Sequence, residues 1–358
     1  MTRKKALCLI IVLLLVFSGF GGCAGMSAGT ANTKVVTDIL GREVTIPKDP
    51  QRIVCLYAAT AHMMTLAGET EKIIGAPGGI KRDILLRTKY PDIVNISSPA
   101  QEGTINAEEI VRINPDLVLV RRNIVDSVSE SEKLDKLGLP YVVVDFYSID
   151  DIKKSVEIVG EIFNKQEIAT KYTAYMDETL AFVDERLEGL NENEKVSLYH
   201  TTNDALKTDA EGSLGDEITR RAGVINVSVQ DGPDTESQTK DTTLEQIYIW
   251  DPDAIIANEY YAVDYIMMND KWSGLSAVKN GQVFSLPLGI SRWCHQGSIE
   301  PHMAVLYIAW HFYPERFSDI DMEETIKDYY TRFFELDIDD ELVERIITGE
   351  GMREPKGN

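Results

Sequence analysis

Apolar residues fall along this chain in two rhythms, short unbroken runs and longer helical stripes, and the two alternate. Residues 52–56, 72–75, 117–120 and 139–146 are short runs rich in Val, Ile and Leu. Between them, residues 61–67 and the stretch INAEEIVRIN carry helical spacing. Apolar runs separated by helices predict parallel strands covered on both faces. The pattern restarts with KVSLYHTT, followed by a helix over residues 214–222, then TTLEQIYIWDPDAIIAN and GQVFSLPL. Ahead of all these, residues 38–46 predict a small hairpin turning at Gly41-Arg42.

Residues 148–195 separate the two alternating halves. Ile168, Tyr172, Tyr175, Met176, Leu180, Val183, Leu187 and Leu190 form a helical stripe with polar residues between. Asn164 suits an N-cap, Glu167 stands in capping-box position, and no Pro interrupts before Gly189. About 25 residues at ~1.5 Å each make a rod of roughly 38 Å. Such a rod can tie two lobes together and leave little hinge motion; a surface helix of one domain is the other reading of this stretch. The expected organisation is an N-terminal lobe over 35–148, interlobe helices over 149–194, and a second lobe with a helical tail over 195–358. The fold class is α/β: two three-layer lobes with mainly parallel sheets, joined by a long rigid α-helix, with a ligand cleft between them.

The halves share a local repeat. INAEEIVRINPDLVLV (105–120) and TTLEQIYIWDPDAIIA (242–257) both read helix, Pro-Asp, strand. Pro115 and Pro252 end the helices, and Glu108 and Glu245 occupy the same place in each unit, 137 positions apart.

Length and composition add limits. A chain of 358 residues with 44% hydrophobic content has room for two soluble domains. Its net charge of -22 argues against a nucleic-acid partner, which needs a basic face. Residues 1–22 read as an export signal, with Arg3, Lys4 and Lys5 before a short apolar run over 6–17. Small residues ending at Cys23 resemble a bacterial-type lipobox, which would make Cys23 the lipidated mature N-terminus; Phe20 departs from the usual Leu. Residues 23–34 read as a flexible tether. The chain is thus expected on the outer face of a cytoplasmic membrane, held by lipid alone. Of four cysteines, Cys8 leaves with the signal and Cys23 takes the anchor, so Cys55 and Cys294 are expected as free thiols.

TDILGREVTIPKDPQRIVCL, INAEEIVRINPDLVLV and LSAVKNGQVFSLP, in that order after a lipobox-like start, carry a resemblance. The chain resembles the substrate-binding proteins of ABC importers for iron chelates, vitamin B12 and haem, the class with a rigid interlobe helix. The similarity runs from about Val36 to at least Phe317. It implies a cleft ligand and an acidic residue on each lobe that docks onto Arg residues of the permease. By position these are Glu108 and Glu245; two separated carboxylates can fix orientation through charge-assisted hydrogen bonds. The partners implied are that permease and its ATPase subunits, with the binding protein itself a monomer.

Ligands of open parallel sheets gather beyond the carboxyl ends of the strands. That rule selects Tyr57, Arg121, Arg122, His200, Tyr260, Tyr261, Arg292, Trp293 and His295, an aromatic and cationic set on an acidic chain. Trp293 matches the pocket aromatic that the family carries after its last strand. Arg suits carboxylate or phosphate groups, and an aromatic face suits a flat or catecholate-bearing ligand. No direct metal site is expected, because Cys294, His295, His302 and Met303 match no compact zinc spacing. His295 and His302 are the candidates should one exist, although His302 reads as a helix-surface residue. His62 and His311 read as structural.

The leading function is capture of a ferric siderophore-type complex for an ABC permease, with corrinoid, haem or a nickel or cobalt complex as alternative cargo. The chain lacks HExxH, GxSxG and P-loop motifs, which argues against an exported metal-dependent enzyme. The tail after Phe317 predicts two amphipathic helices with no function readable from them.

Overall fold

The computed structural model describes residues 32–101, 103–231 and 238–354. Cys23 and the expected export signal lie outside those residues. Strand β1 (Thr33–Thr37) pairs antiparallel with β2 (Glu43–Pro47), with Val35 opposite Thr45. The turn falls where expected, but the first strand precedes residue 38 and begins inside the stretch read as tether. A first sheet follows from β3 (Ile53–Cys55) and β4 (Ile73–Gly75). A two-residue ladder joins β5 (Ala100–Gln101) to β6 (Thr104–Ile105). Then come β7 (Leu117–Arg121) and β8 (Tyr141–Val144), and the first sheet runs β4-β3-β7-β8 with every neighbour parallel. All of β3 and β7 is buried, the environment in which a strand reads as an unbroken apolar run.

The second sheet contains β9 (Ser197–Thr201), β10 (Lys207–Asp209), β11 (Ile225–Asn226), β12 (Thr239–Asp241), β13 (Ala254–Ala257) and β14 (Val283–Ser285). Its order is β12-β10-β9-β13-β14, with β11 also on β9. The β9, β11, β13 and β14 pairings are parallel, while β10 and β12 form an antiparallel edge.

The repeat is built from the same parts twice. Helices Ala107–Ile113 and Leu244–Trp250 are N-capped by Asn106 and Thr243, and each stops at a left-handed residue, Asn114 (φ 49°) and Asp251 (φ 38°). The Pro-Asp that follows turns the chain into the next strand. Asp116 then accepts from the Gln51 and Arg52 amides at 2.8 and 3.0 Å, and Asp253 from the Ser197 amide at 2.9 Å. Each Asp therefore fixes the start of the neighbouring strand.

The interlobe segment differs from its expected form. It is two helices, Ile149–Phe163 and Gln166–Arg186, and Asn164 is the left-handed stop of the first (φ 57°) rather than the N-cap of the second. Lys165 precedes the second helix without a side-chain cap, and Glu167 pairs with Lys171 at 2.8 Å. The helices fold back onto each other at Gly160, where an added Cβ would lie 2.6 Å from that of Ala169. The long helix also ends earlier than expected, leaving Leu187 and Leu190 beyond it.

The tail forms helices Met322–Phe334 and Asp340–Thr348, and it belongs to the core rather than decorating it. Tyr172 of the long helix donates to the Ile299 carbonyl at 2.7 Å, accepts from Tyr329 Oη at 2.7 Å, and meets the Phe333 ring edge-on at 5.0 Å. One apolar cluster consequently runs from Val36 through Tyr172 and Trp293 to Met352, with a satellite on the far face of each sheet. A core shared in this way resists hinge motion between the lobes. No helix among the described residues is long and apolar enough to cross a membrane.

Candidate functional site

Beyond the carboxyl end of β3, Tyr57 precedes helix Ala58–Leu66, and its hydroxyl donates to the Gln296 carbonyl at 3.0 Å. That bond crosses the cleft. Gly297 is required beneath it: its φ is +76°, and a Cβ there would lie 2.4 Å from the Tyr57 ring. Arg121 is buried behind this ring, its guanidinium 4.8 Å from Tyr57 and 4.9 Å from Tyr147.

A cavity of about 140 Å³ opens beside Tyr57, lined by His62, Asp83, Arg292, His295, Ser298 and Arg353 among others. Grooves of about 340 and 330 Å³ lie elsewhere, at the opposite end of helix Ala58–Leu66 and around Ile73 at the start of β4. Neither is at the carboxyl end of a parallel strand, and size alone does not make them the site.

Alternating charges cross the cavity. His62 Nε2 lies 3.2 Å from Asp83 Oδ2, and Asp83 Oδ1 accepts from Arg353 Nε at 2.8 Å. Arg353 Nη1 stands 3.8 Å from Glu259 Oε1, which also accepts from Arg292. The chain His62–Asp83–Arg353–Glu259–Arg292 thus starts beside the first sheet, passes through the C-terminal tail, and ends beside the second. His295 donates from Nδ1 to the Gln296 carbonyl at 2.7 Å, and its Nε2 lies 3.3 Å from the Asn203 side-chain amide, whose NH2 group is the donor when the ring is neutral. Burial, and then the Arg292 charge, hold its pKa well below the usual histidine value, so this ring is neutral. The cavity therefore presents two guanidinium groups, each already paired with a carboxylate, together with hydroxyls and a neutral imidazole, and a small polar solute would compete with Asp83 and Glu259 for the arginines.

The loop carrying Arg292 and His295 rests on a buried acid. Glu300 accepts from the Ser291 amide at 2.6 Å, Ser291 Oγ at 2.7 Å and Tyr330 Oη at 2.6 Å. Trp293 donates from Nε1 to Tyr330 Oη at 3.0 Å and packs edge-on against Tyr307. Its side chain is fully buried and does not line the cavity. The expectation of Trp293 as a ligand-stacking face is therefore corrected: the ring closes the core under the loop.

Further expectations change. His200 is fully buried away from the cavity, its Nδ1 2.7 Å from Asp209 Oδ2. Burial alone would lower its pKa, but the Asp209 carboxylate holds it well above the usual value. His302 is fully buried, not on a helix surface, with the rings of Tyr172, Tyr175 and Tyr329 around it and its pKa pushed down to about 3 by burial. It has no companion ligands, and no group of three metal-binding side chains exists among the described residues. Tyr260 and Tyr261 are exposed at the start of helix Tyr260–Met268, outside the cavity lining. Arg121 and Arg122, expected at the ligand, also fall outside the cavity lining: Arg121 is buried and Arg122 is half-exposed, 3.8 Å from Asp145. Cys55 and Cys294 are buried free thiols. Tyr57, Arg292 and His295 do meet at the cavity.

Asp145, behind Arg121, is nearly inaccessible, and burial raises its carboxyl pKa to about 6 despite the Phe146 amide and the two arginines. Below about pH 4 it is protonated in folded and unfolded chains alike; above about pH 6 the folded state must hold a buried charge. Stability should fall across that window by roughly 3 kcal/mol on this account. Asp145→Asn should flatten the slope, measured as urea midpoints between about pH 4 and pH 8.

Sequence reasoning missed Asp83 and Arg353 and set His62 aside as structural. Arg353 lies 270 residues from its partner, in a tail with no motif, and only the fold brings the two together.

A family model described as "Periplasmic binding protein" matches residues 53–288, well over half of the chain. The chain belongs to that family. Its members named here are ABC-importer binding proteins of the class with two α/β lobes. The molybdate-binding protein MolA of Haemophilus influenzae is 23% identical, over 87% of this chain and 93% of its own length. The petrobactin-binding protein YclQ of Bacillus subtilis is 24% identical, over 79% and 91%. Among solved structures, MolA bound to molybdate superposes with a TM-score of 0.77 at 21% identity, covering 86% of this chain and 99% of that one. CeuE of Helicobacter pylori with nickel(II) bound gives 0.73 at 23% identity, over 88% and 99%. At these identities the structures establish the family's fold, and their cargoes remain their own.

Proposed function

We propose that this protein is the solute-binding component of an ABC importer and that its cargo is a small metal oxyanion of the molybdate class. The carrying observation is the cavity of about 140 Å³ that contains both Arg292 and Arg353. Guanidinium forks match oxyanion geometry, and hydroxyls such as Ser298 Oγ can complete the cradle. Drug-sized ligands occupy roughly 300–1,000 Å³. A ferric siderophore, corrinoid or haem would thus need the lobes to separate against a shared core. MolA, which matches this chain in both sequence and structure, supports the smaller ligand.

Calorimetric titration of the exported chain with molybdate, tungstate, a ferric siderophore, cobalamin and haemin tests this reading. Submicromolar binding of molybdate or tungstate alone is the expected result. Saturable binding of a ferric siderophore with silence toward both oxyanions would overturn it and restore the iron assignment.

Glu108 and Glu245 are exposed on the first turns of their helices, with no hydrogen bond or ion pair to other described residues. Two unpaired carboxylates on equivalent helices suit docking onto permease arginines, with Cys23 as the lipid anchor and the protein acting as a monomer. The double variant Glu108→Ala, Glu245→Ala should keep solute affinity within about twofold, since surface charges far from a site couple weakly to it. Uptake in whole cells should be lost; normal uptake would remove the docking role from this pair.

A further inference from the structure

The C-terminal segment joins the second sheet at one end and the first lobe's cavity wall at the other. Up to residue 348 it is tied to the β14 region: the Leu288 amide donates to the Ile346 carbonyl at 2.8 Å, and Ser285 Oγ donates to the Thr348 carbonyl. Gly349 and Gly351 then turn the chain through left-handed conformations, φ 71° and 66°. Within three residues it lies against residues 82–84 across the cleft. The Ile84 amide donates to the Met352 carbonyl at 3.0 Å, the Glu354 amide to the Arg82 carbonyl at 2.9 Å, and Asp83 and Arg353 form an antiparallel bridge. Arg82 Nε returns to the Glu354 carbonyl at 2.6 Å, and Arg87 pairs with its carboxylate at 2.8 Å. Met352 is fully buried beneath.

Arg353 therefore has two attachments. Its backbone is bridged to the Asp83 strand segment, while its guanidinium lines the cavity, bound to Asp83 and to the Gly79 carbonyl at 3.1 Å and standing near Glu259. A cation delivered in this way is present at the cavity only while the segment lies across the cleft.

We propose that residues 349–354 form a strap over the solute cavity, with Arg353 as the ligand-determining residue that the strap delivers. This inference rests on the proposed solute-binding role of the cavity. The strap holds the two lobes together beside the bound solute, and the solute leaves after the short ladder to residues 82–84 opens. Because the strap is covalently continuous with helix Asp340–Thr348, it recloses as an intramolecular event, which favours slow release over fast capture.

Ile84→Pro isolates the ladder. Ile84 is the first residue of helix Ile84–Lys89, a position where Pro is tolerated, and Asp83 before it is already extended (φ -76°, ψ 117°). The substitution removes the amide that holds Met352 and leaves the cavity side chains in place. In stopped-flow release of molybdate, Ile84→Pro should raise the dissociation rate about fivefold, as one lost hydrogen bond implies, with the association rate changed less than about twofold. Arg353→Gln should raise it by at least about tenfold while the Ile84 amide stays protected from hydrogen exchange. Wild-type release rates in both variants would overturn the strap. Should the wild-type chain bind neither molybdate nor tungstate, the oxyanion reading fails, and the strap is read in ligand-free protein instead. There, interlobe distances between paired spin labels should broaden in Ile84→Pro, and an unchanged distribution would overturn it.

Discussion

Arg292→Ala should weaken molybdate binding by about 2–5 kcal/mol, roughly 30- to 5,000-fold in Kd, the range for removing one partner of a buried charged pair at a binding site. The loss has two sources. The solute loses a guanidinium fork that is only about one-fifth exposed, and Glu259 loses the cation against which it is buried. Glu259 then turns to Arg353, which stands 3.8 Å away, and draws the second cation off the solute. Arg292→Lys separates charge from shape, because an ammonium keeps the charge but cannot present two parallel N–H groups. Its Kd should fall between wild type and alanine. Titration calorimetry gives the affinities, and a thermal melt run alongside shows whether the loop has stayed folded. Wild-type affinity in Arg292→Ala would move the solute out of this cavity.

The same cavity shows which parts of the molecule can be read from sequence. The strands are legible because parallel strands buried on both faces leave few choices of residue, so 53–55 and 117–121 stand out as apolar runs. The Pro-Asp repeat is legible because Pro acts locally, ending the helix, and the same dipeptide recurs; the Asp contacts to the amides at Gln51, Arg52 and Ser197 are long-range and come only with the fold. Asn164 reads as an N-cap in the sequence and is a helix stop in the structure, for a physical reason. Asn is favoured both as an N-cap and as a left-handed stop, and the choice depends on whether the preceding helix reaches it, which here it does. The strand-end rule selects Arg292 and His295, which line the cavity. It does not select Asp83 and Arg353, since neither follows a strand of the predicted set and each is one charged residue among many. Their pairing depends on the path of a tail whose two helices were visible but whose docking was not.

Trp293 is the sharpest case, and its behaviour on substitution should separate the two roles an aromatic can take after a final strand. Trp293→Ala should destabilise the protein by about 3–5 kcal/mol, the range for truncating a fully buried large aromatic, through lost packing and the cavity that the truncation creates. The ring lies beneath the loop that carries Arg292, and its Nε1–H satisfies Tyr330 Oη while Tyr330 donates to Glu300. Glu300 in turn receives the Ser291 amide and hydroxyl, so a weakened Trp293 loosens the base of the loop rather than its ligand-facing side. Trp293→Phe keeps most of the packing and gives up the N–H donor, for an expected cost of about 1 kcal/mol. Urea denaturation followed by tyrosine and far-ultraviolet signals would measure both. At a temperature where each variant is folded, the molybdate Kd should stay within about threefold of wild type, well short of the Arg292→Ala effect. Full stability combined with a large loss of affinity would show that the ring does reach the solute, through an opening of the loop that the closed structure conceals.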